Sequence, residues 1–123
     1  MQNESIVMEW CSMTPRDREI LRRIVECIDA VEGYTARVGA NWADDDMAVD
    51  AIAKRVEEIG EVAKRLTPDA LATMPGVDWR GVKGIRDVMA HDYLDVEIDV
   101  IADVVADYLP GLRAEISRVL SDM

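Results

Sequence analysis

The spacing of the apolar residues constrains this chain most. They recur as Ile20, Leu21, Ile24, Val25, Ile28, Val31, Tyr34 and Val38. Offsets of three and four place such side chains on one face of a helix. The spacing returns in Ala48, Ile52, Val56, Ile59, Val62, Ala63 and Leu66, and again in Trp79, Val82, Ile85 and Met89. A last stripe holds Ile98, Ile101, Val104, Val105, Leu109, Leu112, Ile116 and Leu120. No segment sustains the alternation of a half-buried strand. The chain has 123 residues, enough for one core. These stripes predict an all-α, up-and-down helical bundle of four main helices plus a short one.

Start and stop residues frame each helix. Thr14-Pro15-Arg16-Asp17 offers a capping hydroxyl, a proline where its missing N–H costs nothing, and an acid at the positive end of the dipole. This helix should end near Gly39. Asp44-Asp45-Asp46 reads as the solvated start of the second helix rather than a metal site. Gly60 interrupts that helix at a cost of about 1 kcal/mol relative to alanine. Thr67-Pro68-Asp69 opens the short helix, through Ala72. Met74-Pro75-Gly76-Val77 is the clearest breaker. Asp78 then caps a helix expected to fray near Asp92 or Tyr93. The last helix begins after Asp95, and Pro110-Gly111 should kink it. The domain so outlined is residues 14–121, with residues 1–13 as an N-terminal extension.

Composition narrows the function. Lys and Arg number 14 against 25 Asp and Glu, a net charge of -11. A general nucleic-acid or anionic-membrane coat is therefore not expected, nor is DNA binding, although a local basic cleft could still take RNA. Cys11 and Cys27 make neither a disulfide framework nor a zinc set, which suits a reducing cytoplasm. No apolar run approaches the ~18 residues that cross a bilayer. Met1 to Met13 lacks the basic and continuous apolar regions of a secretory signal. Trp10, Trp42 and Trp79 suit packing or interfaces better than base stacking. Cys27 suits a small buried hydrophobe.

The one histidine, His91, sits among Arg86, Asp87, Asp92 and Tyr93. A lone histidine is commonly structural, but this neighbourhood is unusually polar. Arg grips phosphate in a planar fork, and His exchanges protons near neutral pH. RNA cleavage through the ribose 2′-OH needs proton transfer, and these groups suit it without a metal or cofactor. Five residues separate Arg86 from His91, about 140° around an ideal helix. Either the helix loosens at His91, or a second copy completes the site. Arg80 and Lys83, one turn apart, are ordinary solvated charges or contacts for RNA phosphate.

Arg86-x4-His91-x-Tyr93 resembles the R-x4-H-x-Y motif of HepT toxins, in the HEPN superfamily of all-α ribonucleases. The likeness extends to Glu58–Leu66, to Asp78–Arg86 and to Asp107-Tyr108-Leu109-Pro110, and runs from about Thr14 to Leu120. The resemblance implies a homodimeric, metal-independent endoribonuclease, the toxin of a toxin–antitoxin pair. It implies catalytic Arg86 and His91, a supporting Asp87, and Tyr93 as acceptor of AMP from an MntA-like nucleotidyltransferase antitoxin. The competing expectation is a non-catalytic helical partner or substrate-binding subunit of a nucleotidyltransferase.

Overall fold

The structure, a computed structural model, describes residues 13–91 and 98–121, with the backbone alone described at 86–91. Helix α1 spans Pro15–Val38. Thr14 Oγ1 accepts from the Asp17 amide at 3.0 Å, and Asp17 Oδ2 accepts from the Thr14 amide at 3.0 Å. This reciprocal box satisfies two amides that the first turn leaves open. Gly39 ends the helix at φ 101°, a left-handed conformation that favours glycine, and donates to the Thr35 carbonyl.

The acidic run divides its labour. Asp44 closes a 3₁₀ turn over Trp42–Asp44, and Asp45 caps α2 (Asp46–Ala63) by accepting from the Ala48 amide at 2.9 Å. The short α3 is Pro68–Ala72, capped by Thr67, and α4 is Trp79–His91. A final run comprises α5 (Ile98–Asp103), a π-helical turn over Val104–Tyr108, and α6 (Leu109–Ser121). No strand occurs among the described residues. The bundle is thus all-α, with four main helical runs and one short helix, as the stripes predict.

Helix α1 packs most extensively on α2, α2 on α4, and α6 on α1. Polar ties fix α1 and α2 as antiparallel neighbours. Arg23 binds Glu58, Arg55 Nε reaches the Tyr34 hydroxyl at 3.4 Å, and Arg113 of α6 grips Asp29 of α1 with bonds of 2.6 and 3.2 Å. Between the helices lie Leu21, Ile24, Ile28, Val31, Ile52, Val56, Ile59, Val82 and Ile116, all fully buried. Cys27 is buried with them, and burial pushes its thiol pKa up. Met13, just before the first cap, also joins this core.

Asp17 is the one buried charged residue among those described, at 1% exposure. Besides the α1 box, its carboxylate accepts from the Thr67 amide at 3.0 Å and the Thr67 hydroxyl at 2.7 Å. One side chain therefore joins the caps of α1 and α3. Burial alone would raise its pKa, but the bonds from Thr67 and Thr14 outweigh that and hold it below the ordinary value.

The last run answers its proline differently from a plain break. Pro110 has no N–H to offer the preceding turn. The helix nonetheless continues, and the Leu109 amide bonds the Val104 carbonyl five residues back. This extra residue changes the phase of the stripe. Tyr108 lies two turns after Ile101, where a straight α-helix would face it to the core. The π turn gives that place to Leu109, which is buried, and leaves Tyr108 half-buried on the flank. Two members of the expected stripe shift as well. Ile98, which opens α5, is 41% exposed, and Val119 is buried where Leu120 is only half-buried.

Candidate functional site

Arg86 and His91 of the motif belong to α4, so the site is built from what starts and holds that helix. After the Met74–Val77 turn, Asp78 Oδ1 accepts from the Gly81 amide at 3.0 Å, the expected cap. A Cβ at Gly81 would lie 2.5 Å from Asp78 Oδ2 and push the capping carboxylate aside. Glycine lets that carboxylate fold over the first turn. The Asp78 carbonyl accepts the first helical bond, from the Val82 amide at 3.0 Å. It accepts a second bond from the Tyr108 hydroxyl at 2.8 Å. Burial, then the nearby Asp78 carboxylate, push the Tyr108 pKa up, so the phenol keeps its donor proton.

Trp79 and Val82 anchor α4 in the core. Trp79 Nε1 is buried without a hydrogen-bond partner among the described residues, so this indole serves packing. Trp42 is half-buried against the same core, and Trp10 lies outside the described residues. On the outer side, Arg80 is exposed and Lys83 partly so.

Helix α4 stays helical through His91. The backbone does not loosen before the histidine, and the Cα atoms of Arg86 and His91 stand about 140° apart around its axis. The side chains of Arg86, Asp87 and His91, and all of Tyr93, lie outside the described residues.

Three concave surfaces surround this frame. An apolar cavity of about 310 Å³ runs between α4 and α5 over α2, lined by Val56, Gly81, Gly84, Ile85, Ile101 and Val104 together with Val100, which is 49% exposed. A second, of about 300 Å³, gathers Asp78, Asp107 and Glu115 around Tyr108. The third, of about 460 Å³, lies between α1 and α2 and holds Arg16, Arg23 and Arg65. Its guanidinium groups are already engaged in part, Arg23 by Glu58 and Glu26 and Arg65 by Glu61 at 4.0 Å. Of these three, the apolar cavity borders the motif helix.

The motif gave Arg86, Asp87, His91 and Tyr93 their place in the sequence, but no signal marked Tyr108 as a partner of Asp78. The apolar stripe includes Leu109 and passes Tyr108 by, and a bond to a carbonyl thirty residues away leaves no local trace. Among the described residues no helix is long and apolar enough to cross a membrane.

Known proteins supply the remaining comparison. No solved structure matches the chain. It is 28% identical over 105 residues to "Putative RNase MJ0127" of Methanocaldococcus jannaschii, covering 85% of this chain and 84% of that one. It is 25% identical over 103 residues to "Probable ribonuclease HepT" of Thermococcus cleftensis, covering 83% and 94%. The family model described as "Ribonuclease HepT-like" matches residues 24–119, which include all of α2, α3, α4 and α5. With well over half of its length matched, the chain belongs to the HepT-like ribonuclease family.

Proposed function

We propose that this ribonuclease is the toxin of a type VII toxin–antitoxin pair and cleaves RNA inside the strand, without a metal, in a cleft between two copies of the chain. The observation that carries the reading is α4 itself, an unbroken helix bearing Arg86 and His91 about 140° apart. Two copies facing across a two-fold axis bring the arginine of one near the histidine of the other, and supply two histidines where one chain has one. The apolar cavity beside α4 and the exposed Ile98 and Val100 supply surface for that pairing.

In the proposed reaction the ribose 2′-oxygen attacks the adjacent phosphorus and the 5′-oxygen leaves. The products are a 2′,3′-cyclic phosphate and a 5′-hydroxyl. His91 takes the 2′-OH proton or supplies one to the leaving oxygen, the partner copy's histidine serving the other transfer. Arg86 holds the charge that gathers on the phosphorane. Asp87 supports the arginine, and Arg80 and Lys83 guide the RNA backbone. Purified protein should cleave RNA equally in EDTA and in Mg²⁺. Loss of cleavage in EDTA with recovery in Mg²⁺ would overturn the metal-free step.

Control falls to Tyr93 and an MntA-like nucleotidyltransferase. The Tyr93 phenol oxygen attacks the α-phosphorus of ATP, its proton passes to a base, and pyrophosphate leaves. The attached AMP adds negative charge beside the cleft, which repels RNA phosphate and pairs with Arg86. Tyr34 and Tyr108 are less suited, since the Tyr34 hydroxyl accepts from Arg55 and the Tyr108 hydroxyl donates to the Asp78 carbonyl. Co-expression with the nucleotidyltransferase should add about 329 Da per AMP, mapped by peptide mass spectrometry to Tyr93. A Tyr93→Phe protein should escape modification, and an adduct on Tyr34 or Tyr108 would refute the assignment.

A further inference from the structure

We propose that Tyr108 is a positioning residue for RNA cleavage, holding the start of α4 through the Asp78 carbonyl and so setting where the helix presents Arg86 and His91. The inference rests on α4 carrying the cleaving residues, and its evidence is separate from theirs.

Three observations meet at this point. The bond, 2.8 Å, has the ordinary length of an O–H···O hydrogen bond and joins elements far apart in sequence. Its acceptor is the residue that caps α4 and starts its hydrogen-bond ladder, through Gly81 and Val82. Its donor lies in the π turn, half-buried on the flank beside the buried Leu109. A π turn interrupts regular hydrogen bonding, and such turns are frequent at functional sites. Pro110 explains why the turn is tolerated, because its nitrogen would leave a bond unmade in a regular helix. It does not explain why a phenol occupies the displaced position.

The mechanical consequence follows from the packing. Among the described residues, α4 makes its broadest helix contact with α2. Trp79 and Val82 seat its first turn in the core. Sliding or tilting of that turn is resisted by these apolar contacts, which have little direction, and by the Tyr108 bond, which has one. An error at the first turn is carried along a rigid helix to Arg86 and His91. Misplacement of reacting groups by about 1 Å can cost up to about 10²-fold in rate.

The test compares Tyr108→Phe with Leu109→Ala, which cuts a neighbouring core contact but leaves the hydroxyl. Steady-state cleavage of a fluorophore–quencher RNA oligonucleotide gives kcat and KM, at a temperature where each variant is folded. Hydrogen exchange of the α4 amides and thermal unfolding are measured in parallel. Tyr108→Phe should lower kcat about tenfold with KM little changed, and should speed exchange in the first turn of α4. Leu109→Ala should lower Tm more and kcat less. Unchanged kcat in Tyr108→Phe, or losses of kcat that track Tm in both variants, would overturn the positioning role. Unchanged exchange at the start of α4 would overturn it independently of any activity. Failure of the wild type itself to cleave RNA would instead count against the cleavage reading, with the exchange result still deciding whether Tyr108 holds the helix.

Discussion

Replacing His91 by alanine should lower RNA cleavage by about 10²-fold or more, because the proposed reaction loses its proton carrier. Arg86→Ala should produce a loss of similar size through a different route, by removing the charge proposed to hold the phosphorane. The two should differ in pH dependence. Arg stays charged at all working pH values, so Arg86→Ala keeps the wild-type shape of the pH–rate profile while His91→Ala flattens it. Mixing the two inactive variants supplies a sharper check. If each site draws arginine from one copy and histidine from the other, mixed dimers regain one intact site and up to half of the activity per dimer. Mixed samples that stay inactive after subunit exchange would place both residues of a site on the same chain. Wild-type cleavage by His91→Ala in the linear range of the assay would remove the histidine from the mechanism.

The second large effect concerns stability. Asp17→Ala strips three described donors of their acceptor: the Thr67 amide, the Thr67 hydroxyl and the Thr14 amide. Each donor left unsatisfied in a partly buried setting costs about 1–3 kcal/mol, so a total near 3–4 kcal/mol is expected. That is a large share of the roughly 5–15 kcal/mol that holds a small domain together. The melting temperature should fall by about 10–15 °C.

Acid separates the charge from the packing. The folded-state pKa of Asp17 is lowered, so its stabilisation is present above the unfolded value near 4. It is lost as pH falls through the lower folded value. The difference in Tm between wild type and Asp17→Asn should therefore be widest at neutral pH and shrink below about pH 4. A difference that stays constant down to pH 3 would mean that the carboxylate charge contributes nothing to the tie.

How much of this was legible in the sequence depends on the range of the interaction. Thr14-Pro15, Thr67-Pro68 and Asp78 announced their helices because a cap is made within a few residues of itself. Buried Ile24, Ile28, Ile52 and Val56 were visible through period alone. Asp17 was legible only as an acid near a helix start. Its bond to Thr67 spans fifty positions of chain and leaves no local trace. The expected kink at Pro110 located the irregularity, while its form, a π turn just upstream, depended on how Leu109 and Tyr108 compete for one place. In the site, the motif identified Arg86, His91 and Tyr93 by type and order. The pairing of two copies proposed for Arg86 and His91 was less legible, because it is not a property of one helix.

The π turn has one further consequence, for how the molecule breathes. It is a seam in an otherwise continuous helix. Beyond it, α6 is riveted to α1 by Leu112, Ile116 and the Arg113–Asp29 pair. Before it, α5 exposes Ile98 and Val100 and buries chiefly Ile101. A helix already interrupted at the seam can open on one side without unzipping the other. The α5 end should therefore open more readily than α1, α2 and α6, and its amides should exchange faster than theirs in a hydrogen-exchange measurement.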